Sequence, residues 1–150
     1  MGTFTNLNYQ VVFGGKDHIK FLNEEYQDEL FAYFGGILKN MGCKPHIVGG
    51  HEDHVHLVFS ASGKYSIGRI VQDLKTSSNS FIKKKPYLCQ DFSSWQVGYA
   101  AFSYRISEVE KLIAYVKRQK EHHNNISFEE EYIALLVEHG IEFEHRFLFS

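Results

Sequence analysis

Strand-like and helix-like segments follow one another along this chain in an order that few folds accommodate. Runs rich in aromatic and β-branched residues predict strands, and apolar residues recurring every three or four positions predict helices. The resulting order is strand, helix, strand, strand, helix, strand, helix. The first six elements have the βαββαβ order of a ferredoxin-like fold, in which one face of an antiparallel sheet carries the helices. We therefore expect an α+β protein with a C-terminal helical extension and with the other sheet face free for a site or a partner.

Caps and turn residues set the bounds of these elements. Gly42 ends the first helix and Gly140 the last. Ser107-x-x-Glu110 and Ser127-x-x-Glu130 predict capping boxes at the start of two helices. The glycine pair at 35–36 predicts either a bend in the first helix or a close packing point. Strands are expected at residues 4–13, 44–48, 54–60 and 95–105, with 141–149 as a further candidate, and helices from an Asn23 cap, at 66–84, from 107 and from 127.

The composition predicts one globular domain. The chain has 150 residues, of which 43% are hydrophobic, and it contains no repeat, low-complexity tract or linker, so we expect a single domain over residues 1–150. No run approaches about 18 consecutive apolar residues, which excludes a membrane span. The first residues lack the pattern of a signal peptide. We expect Cys43 and Cys89 to be reduced thiols in a cytoplasmic protein.

The net charge of −2 conceals a segregated distribution. Residues 64–120 carry 11 basic and 4 acidic side chains, whereas the segments on either side are both net acidic. A basic middle of this kind can form a phosphate-facing surface. The candidates for contacts with nucleic acid are Lys83, Lys84, Lys85, Lys111 and Arg118. A lysine-rich helix face in solvent explains the charges equally well, so both interpretations stay open.

The strongest local pattern is His54-Val55-His56-Leu57-Val58-Phe59. Alternate side chains of a strand share one face, so His54 and His56 can project together while the apolar residues between them pack against the helices. Two neutral imidazoles on one face can hold one divalent cation. The His-x-His spacing is common in ordinary strands, however, and an exposed histidine pair without a metal is the competing interpretation.

The third helix offers a candidate third ligand and a candidate nucleophile. Tyr115 and Gln119 are four residues apart and are therefore neighbours on the helix surface. Lys111 and Arg118 lie on the same flank; these cations would favour the phenolate of Tyr115, and the amide oxygen of Gln119 can complete a metal shell. The competing interpretation is a tyrosine at the core boundary of an amphipathic helix. His122-His123 complements the dipole at the helix end, with a second metal site as the alternative.

Three longer motifs extend the pattern over nearly the whole chain. They are Gly49-Gly50-x-x-Asp53-His54-Val55-His56-Leu57, Trp95-x-x-Gly98-Tyr99-x-Ala101-Phe102-Ser103 and Tyr115-x-x-x-Gln119-x-x-His122-His123. Ser127-Phe128-x-x-Glu131 and His139-Gly140-Ile141 follow them. In order and spacing these motifs resemble the insertion-sequence 200-like transposases, which are single-tyrosine enzymes of the HUH endonuclease fold.

The resemblance implies a metal-dependent enzyme that cleaves and rejoins single-stranded DNA. His54 and His56 match the metal-binding pair, Gln119 the third ligand, and Tyr115 the nucleophile that forms a 5′-phosphotyrosine. It further implies a homodimer acting on single-stranded DNA hairpins at element ends, in which the tyrosine helix of one subunit can complete the partner's site. The covalent bond conserves the phosphodiester energy, so no nucleotide cofactor is expected. Imidazole and amide donors suit manganese, cobalt or zinc better than magnesium, but the abundance of magnesium keeps Mg²⁺ beside Mn²⁺ as an expected cofactor.

Other functions stay open at this point. A domesticated relative would nick chromosomal hairpins without mobilising DNA, and the sequence does not separate it from a mobile-element enzyme. A non-catalytic nucleic-acid-binding module is a second alternative, because ferredoxin-like sheets also bind RNA; its binding would need neither Tyr115 nor a metal. A metal enzyme acting on small molecules is a third, and it would need more convergent polar groups than the histidines and Gln119 supply.

Overall fold

One antiparallel sheet lies at the centre of the molecule. The computed structural model describes residues 2–89, 91–123 and 125–149, and within them four strands pair in the order β2-β3-β1-β4. All three pairings are antiparallel, with β1 between β3 and β4. This is the strand order that the ferredoxin-like prediction requires. The strands are β1 (Leu7–Gly14), β2 (Lys44–Gly50), β3 (His54–Ala61) and β4 (Ala100–Tyr104).

Two helices cover one face of the sheet, as the sequence predicts. These are α1 (Gln27–Asn40), preceded by a 3-10 turn at Glu24–Tyr26, and α2 (Ile67–Lys84). Ser66 caps α2, since its hydroxyl accepts a hydrogen bond from the backbone N–H of Arg69 at 3.1 Å. The inward side chains of both helices pack against the alternate residues of β1 and β3 that face them. This main core includes Val11, Phe13, Leu30, Phe34, Leu38, Val55, Leu57, Phe59, Ile70, Val71 and Leu74.

The opposite face of the sheet, expected to be free, carries the last three helices of the chain. They are α3 (Val109–Lys117), the short α4 (Gln119–His122) and α5 (Phe128–Glu138). α3 packs its apolar stripe on Val58 of β3. α5 packs Phe128, Tyr132 and Leu135 on a second cluster that contains Val12 and Phe102. The expectation of a free face is therefore wrong, because the C-terminal extension has enough apolar surface to form a third layer.

Several local predictions about α1 and α3 need correction. The Asn23 side chain makes no capping hydrogen bond, and α1 runs unbroken through Gly35 and Gly36. A methyl group added at either glycine would meet no atom within 4 Å, so the pair is not a close packing point. The capping box before α3 lies two residues earlier than expected, where the backbone N–H of Arg105 donates to Glu108 Oε1 at 2.9 Å.

The predicted bounds after α2 are also partly wrong. The strand expected at 95–105 is shortened to β4, and Trp95 keeps only an isolated bridge to Gly15. The strand suggested at 141–149 is absent from the described residues, which form a 3-10 turn at His145–Phe147 instead. The helix from Ser127 is confirmed, since its hydroxyl accepts a hydrogen bond from the backbone N–H of Glu130. Within the described chain, no helix is both long and apolar enough to cross a bilayer.

Candidate metal and tyrosine centre

His54 and His56 lie side by side on the sheet face that α3, α4 and α5 cover. Both side chains are completely buried, so they are not an exposed pair on an ordinary strand. Each ring is held through its Nδ1 atom. His54 Nδ1 lies 2.7 Å from Asp53 Oδ1, and His56 Nδ1 lies 2.7 Å from Gln10 Oε1. These contacts turn both Nε2 atoms towards the space between the sheet and the C-terminal helices.

Gln119 and Tyr115 reach the same space from the helices that cover the sheet. The helix expected to carry both residues breaks at Arg118, so Tyr115 belongs to α3 and Gln119 begins α4. Gln119 is almost fully buried, and its Oε1 lies 2.9 Å from His54 Nε2. The ring of Tyr115 lies 5.9 Å from that of His56, measured between centroids. The structure therefore brings the four site residues predicted from the sequence into one cluster.

Glu131 and His123, to which the sequence analysis gave no role in this site, occupy its centre. Glu131 projects from α5 with 2% of its surface exposed, and its Oε1 lies 3.3 Å from His54 Nε2 and 3.1 Å from His56 Nε2. His123 Nε2 approaches the same oxygen at 2.9 Å. The other oxygen, Oε2, accepts hydrogen bonds from the Tyr115 hydroxyl and from Gln119 Nε2, the latter at 2.8 Å.

The hydrogen bonding of the three imidazoles shows what the centre can hold. His123 Nδ1 lies 2.9 Å from the Ile126 carbonyl oxygen, which completes the pattern of His54 and His56. Each Nδ1 therefore faces an oxygen acceptor and carries the hydrogen, and in a neutral ring Nε2 then presents its lone pair to the centre. Three lone pairs cannot face a carboxylate oxygen unless protons or a metal cation lie between them. The donor set fits a divalent metal ion, and one ligand atom each from His54, His123 and Glu131 lies within 4.8 Å of the others.

Neighbouring side chains fix the orientation of these ligands. The Phe128 ring lies flat on the His54 ring, with centroids 4.2 Å apart and an interplanar angle of 6°. Elsewhere on the same face of the sheet, α3 packs against β2 where Gly49 contacts Val116. The close approach at Gly49 sets the distance of α3, and with it Tyr115, from the sheet.

The negative charge of the Glu131 carboxylate and the surrounding imidazoles shift one another's pKa values. Burial alone would raise the pKa of Glu131, but hydrogen bonds from His123, His54 and His56 outweigh it and hold the pKa below its usual range. Burial lowers the pKa of His54, but the Asp53 and Glu131 carboxylates raise it to about 9. Burial dominates at His56 and lowers its pKa. The carboxylate is thus ionised and needs compensating positive charge inside the protein.

A comparison with protein families identifies the chain. The model described as "Transposase IS200 like" matches residues 3–119, well over half of the sequence. The chain belongs to the IS200-like transposase family. The resemblance inferred from the motifs is confirmed, and family membership makes this protein a transposase, a class that implies strand-cleaving and strand-joining activity.

Two solved structures share the fold of this transposase. A candidate transposase from Deinococcus radiodurans R1 is 21% identical with a TM-score of 0.60, covering 79% of this chain and 95% of that chain. A REP-associated tyrosine transposase bound to a REP hairpin is 9% identical with a TM-score of 0.56, covering 84% and 76%. No curated protein matches the sequence. At these identities the two structures show the fold, and they confirm the predicted α+β class.

The environment of Tyr115 in this transposase differs from the expected one. Burial and the Glu131 carboxylate raise the pKa of Tyr115 above its ordinary value. Lys111 shares a cavity of about 460 Å³ with Tyr115, and Arg118 Nε donates to the Ala114 carbonyl oxygen at 3.3 Å. The expectation that these two cations favour the phenolate is wrong for this arrangement, because Glu131 is the nearer charge and stabilises the phenol.

Three of the basic residues expected to contact DNA, Lys83, Lys84 and Lys85, lie at the end of α2. This helix packs on the face of the sheet opposite to His54 and His56. Lys83 and Lys84 are exposed, whereas Lys85 Nζ forms a 3.0 Å ion pair with Glu29. Contact between these lysines and the DNA of this transposase stays a prediction.

Two signals in the sequence point to the residues that were missed. Glu131 stands in the apolar stripe of α5. It lies one turn after Phe128, next to Tyr132, and one turn before Leu135. A carboxylate at such a position is buried and must find a partner. His123 lies four residues after Gln119, so the i, i+4 rule that paired Tyr115 with Gln119 also brings His123 beside Gln119.

Proposed function

We propose that this transposase cleaves and rejoins single-stranded DNA through Tyr115, with a divalent metal ion held by His54, His56 and Gln119. One observation carries the proposal: the Tyr115 hydroxyl and both histidines contact the two oxygens of a single carboxylate, that of Glu131. A phosphate group is likewise a small anion with several oxygens. A site that places a phenol and two potential metal ligands around one carboxylate can likewise place the phenol and a bound metal ion beside a phosphate group.

The chemistry follows from the groups present. Tyr115 Oη attacks the phosphorus atom, the bond between phosphorus and the 3′ oxygen breaks, and a 5′-phosphotyrosine forms. Glu131 Oε2 already accepts the hydrogen bond of the Tyr115 hydroxyl and can take its proton. The departing 3′ oxygen takes a proton from Glu131 or from water and becomes a hydroxyl. When bound, a divalent cation would stabilise the negative charge on the phosphate oxygens. Attack by a 3′-hydroxyl on the phosphotyrosine reverses the exchange without a nucleotide cofactor.

Glu131 also keeps the Tyr115 nucleophile protonated before the reaction. The raised pKa keeps Tyr115 protonated, so attack requires transfer of the proton as the oxygen approaches phosphorus. His122 lies beside Tyr115, with ring centroids 5.4 Å apart, and is only partly buried.

The substrate proposed here is a single-stranded DNA hairpin, and the working unit a homodimer. The hairpin is supported by the structural neighbour that is bound to a REP hairpin, although only 9% of residues are identical. The homodimer is supported by the family resemblance. In this chain α3 places Tyr115 over its own histidines, so a complete set of reacting groups is available within one subunit.

A covalent-adduct assay tests the proposal. The full chain is mixed with labelled single-stranded DNA from the ends of its own element and with Mn²⁺, and the products are separated on a denaturing gel. We expect a slower, metal-dependent band that is absent in Tyr115→Phe. Tyr33→Phe is the matched control, because it removes the same hydroxyl from α1 on the other side of the sheet and should leave the band unchanged.

The outcomes separate the competing functions. A wild-type protein that binds the DNA but forms no adduct with any end sequence would contradict the proposal and favour a non-catalytic binding module. An adduct that persists in Tyr115→Phe would show that another residue is the nucleophile. Loss of the band with EDTA and its return with Mn²⁺ or Mg²⁺ would establish the metal requirement.

A further inference from the structure

We infer that His123 and Glu131 are metal ligands in place of Gln119, so that three imidazoles and one carboxylate hold the ion. This inference rests on the metal site of the proposed function and changes its ligand set. His54 and His56 come from β3, whereas His123 follows α4 and Glu131 belongs to α5. The C-terminal extension thus supplies half of this set.

The distances to one oxygen atom carry the inference first. The Nε2 atoms of His123, His56 and His54 lie 2.9, 3.1 and 3.3 Å from Glu131 Oε1. One ligand atom each from His54, His123 and Glu131 lies within 4.8 Å of the others, which is the spacing of ligands around a common ion. His122 provides the contrast: its Nε2 lies 3.5 Å from the other oxygen, and a third of its side chain is exposed.

The second nitrogen of each imidazole gives an independent argument. Metal-bound histidines almost always donate their other N–H to a carboxylate, an amide or a backbone carbonyl, which orients the ring. His54 uses Asp53, His56 uses Gln10 and His123 uses the Ile126 carbonyl oxygen. His123 therefore has the same outer contact as the two histidines expected to bind the metal.

Charge balance gives a third argument. Glu131 is 2% exposed, and within the described part of the chain no lysine or arginine pairs with it. A buried carboxylate needs compensating positive charge, which comes either from protons on the surrounding imidazoles or from a metal ion. A divalent cation supplies that charge while the imidazoles remain neutral, as metal ligands must be.

The inferred ligands lie outside the part of the chain that the family match explains. The family model ends at residue 119, whereas His123 and Glu131 follow it. Gln119 stays close to the site, with its Oε1 on His54 and its Nε2 on Glu131. Three imidazoles and a carboxylate favour Mn²⁺ or Zn²⁺ over Mg²⁺, because Mg²⁺ prefers oxygen ligands and retains its water.

Metal binding measured directly tests the inference. The metal-free full chain is titrated with Mn²⁺ by calorimetry. We expect one ion per chain, with affinity weakened at least on the order of 10-fold in both His123→Ala and Glu131→Gln. His122→Ala is the matched control, since it removes the neighbouring imidazole and should bind Mn²⁺ as the wild type does. Equal affinity of His123→Ala, Glu131→Gln and wild type would overturn the inference.

A spectroscopic measurement distinguishes ligand loss from damage to the fold. Pulsed electron paramagnetic resonance on bound Mn²⁺ should detect three coordinated imidazole nitrogens in the wild type and two in His123→Asn. Thermal unfolding of each metal-free variant reports whether it is folded. If Glu131→Gln does not fold, His123→Asn still decides the question, and three nitrogens in that folded variant would contradict the inference.

The inference and the proposed function fail separately. A tyrosine adduct in a protein whose Mn²⁺ affinity is unaffected by His123→Ala and Glu131→Gln would remove the inferred ligands and leave the function intact. Metal binding that depends on His123 and Glu131, without an adduct on any DNA, would confirm the ligands and contradict the strand-cleaving role.

Discussion

The contact between Gly49 and Val116 should control the position of the tyrosine helix. Gly49 is buried in β2, and a methyl group added to it would lie 2.6 Å from Val116 Cγ1 and 3.3 Å from the Val116 carbonyl oxygen. Val116 follows Tyr115 directly in α3. We therefore predict that Gly49→Ala moves α3 away from the sheet and displaces the nucleophile.

The size of the effect follows from these distances. Carbon atoms in contact lie about 3.5–4.0 Å apart, so the added methyl group is roughly 1 Å too close to Val116. Valine has one strongly preferred side-chain rotamer in a helix, and the backbone oxygen lies behind it, so the helix itself must move. Overpacking of this kind costs about 1–3 kcal/mol. For a chain of this length, that loss corresponds to a fall in Tm of roughly 2–12 °C.

Two assays check the prediction. Thermal unfolding should show the lower Tm, and the rate of adduct formation should fall on the order of 100-fold, because a displacement of about 1 Å removes the reactive geometry. Gly36→Ala is the matched control. It introduces the same methyl group on the exposed side of α1, where no atom lies within 4 Å, and alanine is favoured over glycine in a helix by about 0.5–1 kcal/mol.

The two glycine variants should therefore shift the stability in opposite directions. If Gly49→Ala unfolds at the wild-type temperature and forms the adduct at the wild-type rate, the contact with Val116 does not position α3. If Gly49→Ala is destabilised but reacts normally, the packing argument holds and the link to Tyr115 is wrong.

Four further predictions concern metal, ring stacking, pH and charge. Mn²⁺ at about 100 times its Kd should stabilise the fold by about 2.7 kcal/mol and raise Tm by roughly 5–11 °C, which EDTA should reverse; an unchanged Tm would contradict metal binding to the native state. Phe128→Ala should lower the free energy of unfolding by about 3–5 kcal/mol, measured by chemical denaturation. Phe128→Leu should retain most of the stability but weaken Mn²⁺ binding, because a leucine side chain cannot lie flat on the His54 ring. Burial raises the pKa of the Cys89 thiol from 9.0 to about 12. As the pH rises, the thiol therefore loses its proton first in the unfolded chain, and the free energy of unfolding should fall between pH 9 and pH 12. The fall should be less steep in Cys89→Ala. Replacing Lys83 and Lys84 with alanine should weaken DNA binding and reduce its salt dependence, and an unchanged salt slope would exclude backbone contacts by these residues.

Local periodicity was sufficient for the sheet and for four of the six residues of the site. The alternation in β3 placed His54 and His56 on one face, because side-chain direction in a strand depends on the residue and its neighbours alone. The four-residue spacing likewise brought Tyr115 and Gln119 together, even though the helix breaks between them. Both predictions depended on contacts within a few residues.

Contacts between distant segments account for the errors in the bounds. The segment before β4 was expected to be a strand, but Lys75 Nζ donates hydrogen bonds to its carbonyl oxygens at Gln96, Val97 and Gly98, at 2.7, 3.1 and 2.6 Å. These acceptors are thus satisfied without a neighbouring strand. The final segment is apolar enough for a strand, yet Leu148 packs under α5 and its carbonyl oxygen accepts a hydrogen bond from Gln96.

The sequence is sufficient to predict that Glu131 is a buried charge, but it is not sufficient to predict which residues contact it. The apolar stripe of α5 determines that the carboxylate faces inward, and its burial requires positive charge nearby. Nothing local says which residues provide that charge, because His54 and His56 lie more than 70 positions earlier and meet Glu131 only after α5 covers the sheet. An acidic residue in an apolar helical stripe is therefore evidence for a site whose other members lie elsewhere in the chain. In this protein the nearest unassigned candidates were His122 and His123, and only the geometry separates the ligand from its exposed neighbour.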